Sequence, residues 1–536
     1  MMAYRNRFFL IPLGIIIGLL FWFGLTPGVG QKIVGAVSRR MRMMFPRSAP
    51  CPGCNIVIVN IDTLRPSNMP CYGYVRNTSP NLCAYANSSM RFSNFYTQTP
   101  FTLDSHMSIF TGLFPSSHQV TEALKDTLNP EIPIFTETLD KNGYRTIWVG
   151  ATDDINLPLD RGLGRGFDEF HQADGNSPDW ESDYSKLLPE LLGDTPTFMF
   201  IHSYGVHSPY LVGKGPYRFI QSVYPGIPLT EEEFYPHSRD YYEFVISEFT
   251  SRLNASSTAE SKQRNGKIVS RLEQALKVND LDKARQITWE FPDYENYSLY
   301  MTWYYLHIQQ GDEAVLEYLK TLYDERIYQV DRQLASLFKF LNRPDVKNNT
   351  IVIILSDNGE EFMEHGSFDH GTNIYNTATH APFILSVPGM KQGVYHELFQ
   401  AVDIVPTLLD LVGIVPEGPL DGVSMLPVMK GRAPSYTGDR YLIGQYRGGD
   451  IISIRNSRWK MYKNFKPDQY VELYDLMKDP LEQYNVLGDH LDIARLLDAA
   501  LIKTLEASPK YASTSGEFPS WLDDAKRHKL MFEGYF

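Results

Sequence analysis

The sequence predicts an α/β protein: a mostly parallel central sheet flanked by helices, a smaller antiparallel sheet near the C-terminus, and a transmembrane helix at the N-terminus. Three observations predict it. Apolar, β-branched runs of strand length recur along the chain, most of them closing on a polar residue or a glycine. Helical patterns separate them. Ahead of them all lies one long stretch without a charge.

That stretch, FFLIPLGIIIGLLFWFGL from Phe8 to Leu25, has 18 residues. About 20 is typical for a helix that spans a bilayer. It is longer than the roughly 7–15 residues of a cleavable signal core, and no A-x-A site follows, so it reads as an uncleaved single-pass anchor. Arg5 and Arg7 precede it, and Lys32, Arg39, Arg40 and Arg42 follow it, so the positive-inside rule selects no side. The segment QKIVGAVSRRMRMMF reads as a basic amphipathic helix suited to anionic headgroups. The expected place of the main domain is outside the cytoplasm. Four cysteines, Cys51, Cys54, Cys71 and Cys83, allow three pairings in an oxidising compartment. The net charge of −13 argues against a nucleic-acid partner, which needs clustered Lys and Arg. The sequence carries no signal for an oligomeric state.

The first strand is NIVIVNI, which ends at Asp62. YRTIWV ends at Gly150, and TFMFI ends at His202 and leads into His207-Ser208-Pro209-Tyr210. NTIVIILS ends at Asp357-Asn358-Gly359, and PFILSV ends in Pro-Gly. Helices are expected from Glu137 to Asn142 and from Leu319 to Leu341. In sheets of this kind ligands bind beyond the carboxyl ends of the strands. Asp62, His202, Asp357 and Asn358 all fall there. A single Asp after a strand is usually a turn former. Two acidic strand ends with an adjacent Asn, and histidines in the nearby loops, exceed what turns require. Oxygen donors suit one divalent ion such as Ca²⁺, Mg²⁺ or Mn²⁺, and the histidines leave Zn²⁺ open.

The segment TPFTLDSHMSIFTG predicts a helix capped by Asp104 or Ser105, with Met107, Ile109 and Phe110 turned inward and Gly112 ending it. Capping does not account for Thr102. At a helix start, where free N–H groups and the dipole favour anions, Thr102 would be a nucleophile beside the cation.

Five ordered motifs now make the chain recognisable. NIVIVNIDTLRPSNMPCYGYVRNTSPNL resembles the amino-terminal signature of the sulfatase family, within the alkaline-phosphatase-like superfamily. FTLDSHMSIFTG resembles its nucleophile element, LSDNGEEFMEHG its second metal motif, and VDIVPTLLDLVGI and ELYDLMKDPLEQYNV its carboxyl-terminal landmarks. The resemblance implies an alkaline-phosphatase-like fold and a metal-dependent ester hydrolase. It places metal ligands at Asp62, Asp357 and Asn358, with Thr102 as nucleophile completing the shell. It places the motif arginine at His106, a substrate-binding histidine at His207, and a basic substrate-facing residue at His370. The second aspartate of many family members falls on Thr63, and the family's G-K-W-H element is replaced by Gly150-Ala151-Thr152-Asp153. Sulfatases convert Cys or Ser to formylglycine, so Thr102 argues against that modification and favours phosphoester or phosphonate chemistry over sulfate esters.

The implied organisation is an anchor over 1–30 and a basic linker over 31–54. A catalytic domain follows over 55–435, with a helical insertion at about 228–323, and a C-terminal subdomain covers 436–536. The expected partner is an anionic ester, with a lipid or an envelope glycan as candidates. His106 is expected to protonate a leaving group; His202 and His380 read as packed histidines; Lys460 and Lys463 read as a solvated face. Two other functions fit the motifs. One is an envelope transferase working through phospho-Thr102; the other is a non-catalytic tethered protein on the same scaffold.

Overall fold

The computed structural model describes residues 49–514, apart from 123–124, 155, 174–179, 211–217, 221–236, 256–257, 292, 433–439, 447–448 and 466–468. The expected anchor, most of the basic linker and the 435/436 boundary lie outside the described residues. Among the described residues no helix is long and apolar enough to cross a membrane.

The strands of the large sheet are β1 (Asn55–Ile61), β2 (Met90–Phe92), β3 (Arg145–Gly150), β4 (Glu169–Gln172), β5 (Thr197–Ser203), β6 (Thr350–Leu355), β7 (Phe383–Ser386) and β8 (Gly393–Tyr395). Their order is β8-β2-β7-β6-β1-β5-β3-β4. The run from β6 to β4 is parallel, while β7 lies antiparallel to both β6 and β2. Every residue of β1 is buried, as its unbroken apolar sequence requires of a central parallel strand. Successive side chains point to opposite faces and so build two cores. Ile56, Ile58, Phe198, Phe200, Ile351 and Ile353 face α1 (Thr102–Thr111) on one side. Val57, Val59, Met199, Ile201 and Ile354 face the other core, with Leu319, Leu322 and Val330.

The insertion is a helical layer: α2 (Arg239–Ala255), α3 (Ala259–Lys277), α4 (Leu281–Thr288) and α5 (Asp293–Gln309). Tyr241, Tyr242, Phe249, Leu272, Phe291 and Leu299 give it its own core. The following helix, α6 (Glu313–Gln333), packs Leu319 and Tyr323 under the large sheet, and Tyr300, Tyr304 and Ile308 of α5 reach the same core. The helix expected from Leu319 to Leu341 is α6 followed by a separate turn of helix at Ala335–Leu341.

The small sheet is the expected antiparallel one: β9 (Leu442–Tyr446), β10 (Ile451–Arg455), β11 (Trp459–Asn464) and β12 (Tyr470–Asp475), paired in chain order. Leu497 and Leu501 of the helix Leu491–Ala507 cover one face. Lys460 corrects its expectation. It is buried, and its Nζ lies 2.6 Å from Glu482 and donates to Ile374 O at 2.8 Å, so it ties the small sheet to the loop after β6. Lys463 pairs with Asp498. The cysteines pair as Cys51–Cys54 and Cys71–Cys83.

Candidate active site

The parallel register brings the acidic strand ends together. β1 pairs with β6 on one side and β5 on the other, with Asn60 opposite both Leu355 and His202. Asp62 and Asp357 therefore emerge at the same end of adjacent strands. Asn60 Nδ2 donates to Asp357 Oδ1 at 3.0 Å, and Asn358 Nδ2 reaches both Asp357 Oδ2 (3.2 Å) and Asp62 Oδ1 (3.3 Å). Helix α1 starts above them. Thr102 is its first residue, and its hydroxyl donates to Asp62 Oδ2 at 3.3 Å. The expected cap is corrected: the helix begins two residues before Asp104, with Phe101 in the capping position and no side-chain cap bond. Asp104 instead accepts from the Thr99 hydroxyl at 2.7 Å, and Ser105 donates to Asp357 O at 2.6 Å. That second bond clamps the helix start onto the strand end. Gly112 closes α1 in the left-handed region at φ 71°, as its position predicts.

His106 lies one helical turn beyond Thr102. Its Nδ1 donates to Thr102 O at 2.6 Å and stands 3.5 Å from Asp357 Oδ2. Burial keeps its pKa below the ordinary histidine value. His202 meets the His106 ring edge to face, with ring centres 5.1 Å apart. Burial, then the neighbouring histidines His106 and His207, hold His202 well below its usual pKa.

A second group of side chains faces this floor from the loops. His207 Nδ1 donates to Ser208 O at 2.6 Å, which fixes its tautomer, and burial followed by the charge of His370 holds its pKa down at about 4. The His207 and His370 rings are 4.7 Å apart. His370 Nδ1 lies 2.7 Å from Asp369 Oδ1 and 3.4 Å from Glu360 Oε1. Burial opposes its charge, but these carboxylates outweigh burial and raise its pKa well above the ordinary value. Half-buried Asp369 is held at about 2 by His370 against its desolvation, and its other oxygen accepts from Ser208 Oγ at 3.0 Å. Burial and then Asp369 push Glu360 up to about 7.

Thus Asp62, Thr102, Asp357, Asn358 and His106 meet at the floor, and His207 and His370 meet opposite. His365 does not join them: it binds Glu361 and Leu481 O and stacks on Tyr375. His380 is packed as expected, against Tyr96 and Ser93 O. Asn60, Glu360 and Asp369 were not singled out from sequence. Asn60 stands two residues before Asp62 on a strand, and Asp369 directly precedes His370, which are the signals that mark them.

Residues 54–414 match the family model Sulfatase, and residues 363–508 match N-sulphoglucosamine sulphohydrolase, C-terminal. The chain belongs to the sulfatase family. A Delta 4,5-hexuronate-2-O-sulfatase of Bacteroides thetaiotaomicron is 23% identical over 492 residues, covering 88% of each chain. A choline-sulfatase of Rhizobium meliloti is 24% identical over 454 residues, covering 81% of this chain and 82% of that one. Among solved structures, a protein in complex with its substrate D-glucosamine-2-N,6-O-disulfate superposes with a TM-score of 0.60 at 22% identity, covering 84% of this chain and 97% of the other. A phosphonate monoester hydrolase of Agrobacterium radiobacter gives 0.59 at 19%, covering 85% and 95%. Membership makes the chain a sulfatase-like hydrolase of ester bonds.

Sulfatase-family enzymes generally use a divalent metal, and the floor fits one. Two buried carboxylates share a single amide, and among the described residues their ion-pair partners are histidines, not Lys or Arg. Burial and then Asp357 hold the Asp62 pKa well above the carboxylate range, a strain that a cation would relieve. The Asn358 oxygen is buried without a hydrogen-bond partner, and half a turn of the amide aims it at the carboxylates. Glu360, Asp369 and His370 also offer donor atoms within 4.8 Å of one another. There protonated His370 already lies against both carboxylates.

Proposed function

We propose that this sulfatase-family protein is a metal-dependent hydrolase that cleaves a phosphoester, phosphonate or sulfate ester through Thr102, with the phosphorus substrates preferred. The observation that carries the reading is the Thr102 hydroxyl, set on Asp62 Oδ2 at the start of α1 with Asp357 and Asn358 alongside. Asp62, Asp357, Asn358 and Thr102 would hold the cation, which when bound supplies Lewis-acid polarisation of the ester. The Thr102 proton points to Asp62, leaving an oxygen lone pair for in-line attack on phosphorus or sulfur. Backbone N–H groups at the start of α1 and protonated His370 receive the anionic oxygens. His207, with Nδ1 engaged by Ser208 O, keeps Nε2 as an acceptor that draws a proton from the water hydrolysing the Thr102 ester. A threonyl ester carries no aldehyde hydrate to eliminate, so release needs this second attack, which phosphorus accepts more readily than sulfur.

The test is turnover of phosphodiester, phosphonate and sulfate esters by the wild type and Thr102→Ala. Loss of all activity in the variant is expected. Unchanged turnover, or efficient release of sulfate from aryl sulfates with phosphodiesters untouched, refutes the respective half of the proposal. We place the domain outside the cytoplasm, held by a single-pass helix at residues 8–25, with an anionic lipid or envelope glycan as substrate. Two disulfides in the described residues suit an oxidising compartment. Protease digestion of intact cells checks this; full protection of the domain refutes it.

A further inference from the structure

His202 has no work in the reaction as described, yet it is built into the floor. It stands within β5 beside Asn60 of β1, and the Asp62 N–H donates to the next residue, Ser203 O, at 3.0 Å. The ring is buried, and neither nitrogen finds a hydrogen-bond partner among the described residues. Its faces and edges meet Trp148, Phe200, His106 and Tyr204. Gly150 on the neighbouring β3 makes the space: a Cβ there would come within 3.0 Å of the His202 Cβ.

The His202 Nε2 lies 3.7 Å from Asp62 Oδ2, the oxygen that also receives the Thr102 hydroxyl. That is too long for a hydrogen bond. It is close to the spacing of two atoms bound to one cation: a nitrogen and an oxygen each about 2.1 Å from a metal, at tetrahedral to trigonal angles, lie about 3.4–3.6 Å apart. Meanwhile Thr63, where many sulfatases carry a second aspartate, contributes no charge. Its backbone sits at φ 58°, and its carbonyl accepts from Tyr323 OH at 2.7 Å. An imidazole replacing a carboxylate lowers the negative charge and softens the donor set, which favours Zn²⁺ or Co²⁺ over Ca²⁺.

We propose that His202 Nε2 is a direct ligand of the cation held by Asp62, Asp357 and Asn358, and that it makes the site selective for Zn²⁺ over Ca²⁺. This rests on the reading of those three residues as ligands, and the experiment separates the two claims. The full-length protein in detergent is stripped of metal and titrated with Zn²⁺, Co²⁺ and Ca²⁺ as wild type, His202→Ala, His202→Gln and Asp357→Asn. The wild type is expected to bind one Zn²⁺ in preference to Ca²⁺. Both His202 variants should lose about 100-fold or more in Zn²⁺ affinity, keep Ca²⁺ affinity within about threefold, and shift the visible Co²⁺ bands. Asp357→Asn should weaken all three metals. Wild-type Zn²⁺ affinity and Co²⁺ bands in both His202 variants, with Asp357→Asn defective, overturn the role of His202 and leave the other ligands standing. Wild-type binding by Asp357→Asn overturns the ligand set itself and the inference with it. Zinc-edge X-ray absorption on the wild type needs no variant to fold: imidazole scattering supports the proposal, and an all-oxygen shell overturns it.

Discussion

The two poles of the site are built differently. The acidic pole, with Asp62, Asp357 and Asn358, grows from the ends of the central strands β1 and β6, where both faces of the sheet are packed and the backbone is locked by parallel pairing. The basic pole, with His207 and His370, hangs on loops. There the geometry comes from side chains: Asp369 between His370 and Ser208, and the buried Lys460–Glu482 pair bracing the loop from the small sheet. On the proposed function, cation binding would fall to the strand ends packed on both faces, and recognition of the anion to loops whose side chains set the geometry.

Four experiments break or sharpen this contrast. The largest effect is expected from Thr102→Ala, which should lower kcat/KM by about 10³-fold or more in steady-state assays. Next, His370→Ala should cost about 10²-fold in turnover with metal content unchanged, since it removes charge from the basic pole alone. Equal metal loss in this variant would merge the two poles into one. Third, Lys460→Met leaves Glu482 buried without its cation and should destabilise the fold by about 3–5 kcal/mol in chemical denaturation. The smallest effect lies far from both poles. His118 is buried, and burial depresses its pKa to about 3. Its neutral form therefore contributes stability that is present above about pH 6.5 and is lost as pH falls toward 3. His118→Gln should flatten the fall in melting temperature below pH 6.5, by roughly 2 kcal/mol at pH 5. An unchanged slope would show that other groups control acid lability.

The acidic pole was legible in the sequence because its residues terminate apolar runs, and a strand end is a place that hydrophobic patterning marks directly. Thr102 was legible for a related reason, as the residue that capping left over. The register that sets Asn60 beside His202 was not, since pairing between strands separated by more than a hundred residues leaves no local trace. Lys460 misled because a lysine on an alternating strand reads as solvated, and its partner Glu482 lies on a loop beyond the next strand.

The direction of β1 has an architectural consequence. The chain enters the sheet through Cys51, whose N–H is held by Leu411 O, and seven residues of extended strand then carry it to Ile61 and the reactive end. That run spans roughly 20 Å. On the proposed anchoring through residues 8–25, that length separates the Asp62 end of β1 from the point where the tether joins the sheet. Under that proposal the reacting bond would be met one strand length beyond the tether's point of entry rather than beside it.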